Sequence, residues 1–159
     1  MVLFLCGSSI PARAADDPET LIHEGIELRK AGQDARAEGY FRRAYQLAPT
    51  PRTAAQLGLA ELAVDDYLNA EAHLSEALAG RDDAWILNYQ KVLQDSRAQA
   101  RRNLLEVEIV GAPAGATLAL GSAAPSAMPQ ESKLWIAPNT PMDVTVSASG
   151  HKSSAFHVE

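Results

Sequence analysis

Residues 37–49 read AEGYFRRAYQLAP, and residues 70–82 read AEAHLSEALAGRD. Ala37 recurs as Ala70, Phe41 as Leu74 and Ala44 as Ala77, each 33 residues later, and upstream Gly25 recurs as Gly58 at the same interval. Steps of four and three residues put Ala37, Phe41 and Ala44 on one helical face, and Ala70, Leu74 and Ala77 on the matching face of another helix. Small residues there let two antiparallel helices approach closely, and the larger residue between them fills the gap. A fixed period of this length marks a stacked helical repeat.

The punctuation keeps the same period. Asp17-Pro18 supplies a capping carboxylate and a proline at the first helical position, and Thr50-Pro51 repeats that entry. Gly32 ends the first helix, Asp34 opens the second, and Ala48-Pro49 closes it. Asp65 or Asp66 caps a fourth helix that Gly80 ends. These signals predict helices over about 18–31, 34–48, 51–63 and 67–79. Two such units bury little surface, and a stack needs further units or a cap. Asp82-Asp83 followed by Trp85, Ile86, Tyr89, Val92 and Leu93 predicts a capping helix with one buried stripe, running to about residue 103. Trp85 reads as core, and Arg97, Arg101 and Arg102 as largely solvent-facing.

The helical part resembles the tetratricopeptide repeat family. Gly25, Gly32, Ala37, Phe41, Ala44 and Pro49 stand where its signature expects small, turn, small, aromatic, small and proline residues. Leu57-Gly58, Tyr67, Ala70, Leu74 and Ala77 do so in the second unit. Glu24 departs from the family's apolar position, and Asp82 replaces its terminal proline.

From Leu105 onward the period changes. Leu105 to Ile109 alternates strictly, Thr117 to Leu120 follows a turn at Gly111 to Gly115, and a small polar loop fills residues 121–131. Leu134 to Ala137, Met142 to Ala148 and Ala155 to Val158 complete about five strands, with turns at Pro138-Asn139 and Gly150-His151. Short strands at this spacing predict a small antiparallel sandwich. Pro113-Ala114-Gly115-Ala116-Thr117, and Met142 to Val146 running into Gly150-His151, resemble the PEGA-type domain, a small β module common in bacterial envelope proteins. Leu120-Gly121-Ser122 replaces that family's usual Asp-Gly turn, and its members usually continue past the point where Glu159 stands. The expected fold is α then β in separate domains: tetratricopeptide-like antiparallel repeats with a capping helix at 15–104, then a PEGA-like antiparallel β-sandwich at 105–159.

Residues 2–10, VLFLCGSSI, followed by Pro11 and Ala12-Arg13-Ala14, read as an export signal cleaved after Ala14. No Lys or Arg precedes the apolar run, which suggests a start upstream of Met1. The run is too short to span a bilayer. Cys6 invites a lipid-anchor reading, but bulky Leu5 before it argues against one. Helical repeats joined to a PEGA-like module resemble periplasmic or secreted proteins of Gram-negative bacteria, which agrees with export. As the lone cysteine, Cys6 allows no internal disulfide and no cysteine-based zinc site. The 159-residue chain is 47% hydrophobic and 21% charged, in the globular range. Its net charge of −6, with basic residues scattered, argues against nucleic acid as a partner.

No catalytic constellation, cofactor motif or metal site is legible. His23 and Glu27 share a helix face but lack a third ligand. His73 reads as surface or partly packed, and His151 and His157 show no partner. Ser149-Gly150-His151-Lys152 matches the Ser-x-x-Lys pattern of penicillin-recognising enzymes, yet it crosses a turn where that motif needs a helix start in a much larger fold. An enzyme is therefore not expected.

The tetratricopeptide resemblance implies a protein-binding scaffold whose concave groove is lined by the first helix of each pair. Carried over, Ile22, Ile26 and Arg29 line it from the first unit, and Arg52, Ala55, Leu59 and Leu62 from the second. Each apolar member is equally a candidate for core packing. Arg29 and Arg52 are candidates to hold an acidic or C-terminal group of a partner, or are ordinary exposed charges. A different class of reading makes the β domain a docking module for cell-wall glycan. Trp135 decides it: an exposed ring favours glycan, and a ring in the sandwich core removes the support. Homodimerisation is a further expectation, from the short repeat array and small β domain.

Overall fold

The computed structural model describes residues 17–129 and 132–158. The export signal expected at 1–14, with Cys6, lies outside the described residues. Among the described residues five helices come first: α1 Pro18–Lys30, α2 Asp34–Leu47, α3 Pro51–Ala63, α4 Tyr67–Ala79 and α5 Ala84–Arg101. Six strands follow: β1 Leu105–Glu108, β2 Thr117–Leu120, β3 Ser126–Ala127, β4 Lys133–Ile136, β5 Met142–Ser147 and β6 Ser154–Val158. The chain is α then β, in separate domains.

The helix starts follow from their caps. The side chains of Asp17, Thr50, Asp66 and Asp83 each accept a backbone N–H from the first turn of the helix behind them. Thr50 and Thr53 complete a reciprocal capping box. Asp34 stands at the first position of α2, and Gln33 precedes it without a side-chain bond to the helix. Gly32 ends α1 at φ +70°, and Asp65, 33 residues later, ends α3 at φ +64°.

The repeat is held by one contact made twice. A Cβ added at Gly25 would stand 2.8 Å from the Phe41 ring, and one at Gly58 would stand 2.8 Å from Leu74 Cγ. The glycine on the first helix of each pair is thus the seat for the large residue of the second. Around the first seat, Leu21, Ile22, Ala37 and Ala44 are buried together with Leu57 and Ala60 of α3. Around the second, Ala54, Ala55 and Ala77 are buried with Ile86 and Leu93 of α5.

On α5 the expected stripe narrows. Ile86, Leu93 and Ala100 are buried, at steps of seven, while Trp85 is half-buried and Tyr89 and Val92 are exposed. The helix rests on the preceding pair along one line, and nothing described covers its other apolar residues. Arg101 also departs from expectation, because the β domain returns beside the last turns of α5 and half-buries it.

The strands form two antiparallel sheets, one ordered β3-β2-β5-β6 and the other β1-β4. Ala116, Leu118, Val144 and Val146 make the core, with Ile109, Met128 and Leu134 packed against it. β5 alternates as its sequence does, Val144 and Val146 inward, Asp143 exposed. Residues 121–131, expected to be loop, contain β3, whose Ser126 Oγ donates to the Leu118 carbonyl at 3.3 Å.

Candidate functional site

The structure divides the expected groove residues. Ile22 and Ala55 are core, 2% and 0% exposed, and are corrected from groove to packing positions. Ile22 is enclosed with Phe41 and Ala37, and Ala55 with Leu74 and Ile86, because their side of each first helix turns toward its neighbours. Ile26, Leu59 and Leu62 are half-buried. Arg29 and Arg52 are also half-buried, and both are engaged. Arg52 Nη1 reaches Glu19 Oε1 at 2.9 Å, and Arg29 Nε lies 3.6 Å from Asp34 Oδ1. Arg52 Nε is buried without an acceptor. With both guanidiniums facing carboxylates of the chain itself, the surface beside them is chiefly apolar in what it offers.

Carrying the 33-residue register one step further reveals the rest of that surface. Thr53 and Ala60, buried where α3 rests on the first pair, become Ile86 and Leu93, buried where α5 rests on the second. In the same register Ile26 becomes Leu59 and then Val92, and Glu19 becomes Arg52 and then Trp85. The Glu19–Arg52 ion pair shows that equivalent positions on α1 and α3 are neighbours. Val92 is 53% exposed and Tyr89 46%, and the Tyr89 ring lies against Trp85 with centroids 4.4 Å apart. By this register Ile26, Leu59 and Val92 occupy equivalent positions on the three helices, with Trp85 and Tyr89 on the same helix as Val92. Reading α5 as a cap with an inward stripe concealed Tyr89 and Val92; the period itself marks them.

Two polar clusters lie elsewhere. Glu61, 1% exposed, is within 2.7 Å of His73 Nδ1 and 3.8 Å of Arg42 Nη2. Tyr45 sets its ring edge on His73 at 5.0 Å and donates its hydroxyl to Glu76 at 2.7 Å. The hydrogen bond to Glu61 raises the His73 pKa above its ordinary value, against the opposing effect of burial. At the domain junction, Glu71 Oε1 accepts from Ser75 Oγ at 2.8 Å and from Arg101 Nε and Nη2 at 3.0 and 2.7 Å. The Arg101 guanidinium lies 4.6 Å from the centre of the Trp135 ring.

Trp135 is thus neither a free surface ring nor part of the sandwich core. It is half-buried on the sheet face opposite Leu134 and Ile136 and is stacked by α5. His157, expected to lack a partner, meets Asp143 Oδ1 through Nδ1 at 2.7 Å across the β5–β6 pair. His151 is exposed in the turn at Gly150, whose φ is +76°. Among the described residues no three His, Cys, Asp or Glu side chains group to hold a metal ion, and no helix is long and apolar enough to cross a membrane.

No family model, curated protein or solved structure matches the chain.

Proposed function

We propose that the chain is a non-enzymatic protein-binding scaffold, made of two tetratricopeptide-type units, a capping helix and a PEGA-like β module. Its place of work is the bacterial cell envelope, periplasmic or secreted. The observation that carries this reading is the pair of exposed apolar side chains Tyr89 and Val92 on α5, in register with the half-buried Leu59 and Ile26 and beside the half-buried Trp85. Contiguous apolar surface is costly to leave in water and marks an interaction site. A stripe crossing three helices at one register suits a partner segment lying across the stack with its own apolar residues inward. Arg52 is already paired with Glu19 through Nη1 and Arg29 lies 3.6 Å from Asp34, so the partner is held by apolar contact more than by an acidic group.

Lys91 supports the reading of α5 as a cap. It stands one period after Gly25 and Gly58, where a further helix would need a glycine to seat its large residue. A glycan-docking β module draws less support, because Arg101 already covers the Trp135 ring that would stack on sugar.

The test is affinity capture from an envelope fraction with the residue 15–159 chain and with a Tyr89→Ser, Val92→Glu variant. Both positions are exposed, and circular dichroism establishes that the variant folds. The expected result is a protein partner retained by the first and weakened at least about tenfold in the second. Undiminished capture by the variant would remove the stripe as the binding surface.

A further inference from the structure

Between the helical and β domains lies an open cleft of about 500 Å³, within the size range of small-molecule sites and in a place where such sites are common. Leu68 of α4, Met142 of β5 and Trp135 of β4 line it, as do Leu120 of β2 and Leu134 of β4, which also pack against the sandwich core. Among the described residues the charged side chains lining it are Glu71, Arg97, Arg101 and Lys133, three cations to one carboxylate in a chain of net charge −6. Arg101 is committed to Glu71, and Lys133 reaches Glu106 at 2.5 Å. Arg97, one turn before Arg101 and half-buried, makes no ion pair with a described residue. The neutral polar side chains are few and partly used: Asn69 Nδ2 donates to Asp66, and Ser75 Oγ to Glu71. A sugar, which needs many hydrogen-bond partners, is poorly served. An aliphatic chain bearing one negative charge is well served.

We propose that this cleft binds a free medium-chain fatty carboxylate, its chain along Leu68, Leu120, Leu134 and Met142 and its carboxylate on Arg97. The aliphatic walls give the chain a dry surface, and a cation in a partly enclosed cleft holds a carboxylate more firmly than one on open surface. The site is separate from the stripe on α1, α3 and α5, and its test does not depend on the protein-partner reading.

Trp135 supplies the reporter. In a Trp85→Phe background it is the sole tryptophan, and its emission is followed while decanoate is added below its micelle concentration. A saturable change is expected, with decanol binding about tenfold more weakly, and Arg97→Ala weakening decanoate about tenfold while Arg97→Lys keeps most of the affinity. Ala72 is exposed at the cleft, so Ala72→Phe fills the space without touching either core and abolishes the response. No saturable change, equal affinity for decanol, or binding untouched by Arg97→Ala or by Ala72→Phe overturns the proposal. A response to phosphatidylglycerol vesicles without one to decanoate also overturns it, in favour of a membrane-facing surface.

Discussion

A methyl group added at Gly58 would stand 2.8 Å from Leu74 Cγ, 3.1 Å from the Leu74 backbone nitrogen and 3.3 Å from the Ala70 carbonyl oxygen. Two of these neighbours are backbone of α4 and cannot move without shifting the helix. Helix propensity alone favours alanine over glycine by about 1 kcal/mol. Overpacking a close contact costs about 1–3 kcal/mol, so Gly58→Ala is expected to lower stability by about 1 kcal/mol on balance. Gly39 on α2 is the internal control, since nothing lies within 4 Å of its added Cβ. Gly39→Ala is expected to gain about 0.5–1 kcal/mol. Urea denaturation of the two variants separates the effects: a Gly58→Ala protein as stable as Gly39→Ala would show that the helices do not depend on that seat.

At the scale of the element, caps and period together define a helix almost to the residue, which is why α1 to α4 are legible in the sequence. Periodicity shows that one face of a helix is apolar but not what covers it. Tyr89 and Val92 therefore read as buried when they are exposed, and Ile22 and Ala55, equally groove or core by sequence, are core. β3 is two small residues with no alternation to reveal them, and the Arg101–Trp135 contact joins residues 34 positions apart across a change of domain. The His73–Glu61 bond is another such contact, tying α4 to α3. Its consequence is a pH dependence of definite sign. The folded-state pKa of His73 lies above the unfolded one, so its contribution to stability is complete below the unfolded value of about 6.5. The contribution is lost as pH rises through the raised folded value. The urea midpoint of the helical domain is expected to fall as pH rises above about 6.5, and His73→Gln to flatten that slope. An identical slope in the variant would place the dependence elsewhere.

For the whole molecule, the question is how far two cores that share no residue are coupled. The helical clusters and the sandwich cluster are distinct, and the contacts described between them run through Glu71, Arg101 and Trp135 at the cleft. A cation stacked on an aromatic ring contributes about 0.5–2 kcal/mol, a small coupling beside the stability of either core. Arg101 acts on both domains: its loss strips the largely buried Glu71 of its charge partner and uncovers the Trp135 ring. Arg101→Ala is expected to destabilise the helical domain by about 2–3 kcal/mol, less than for a fully buried pair because the guanidinium is partly solvated. The sandwich core, untouched, should keep most of its own stability. Far-UV circular dichroism follows the helices, and Trp135 emission in the Trp85→Phe background follows the junction and sandwich. In the parent the two urea transitions should lie close together; with Arg101→Ala the helical one should move to lower urea and the two should separate. If both shift together by the same amount, the domains are coupled by more than this contact, and the cleft between them is a rigid feature of one cooperative unit.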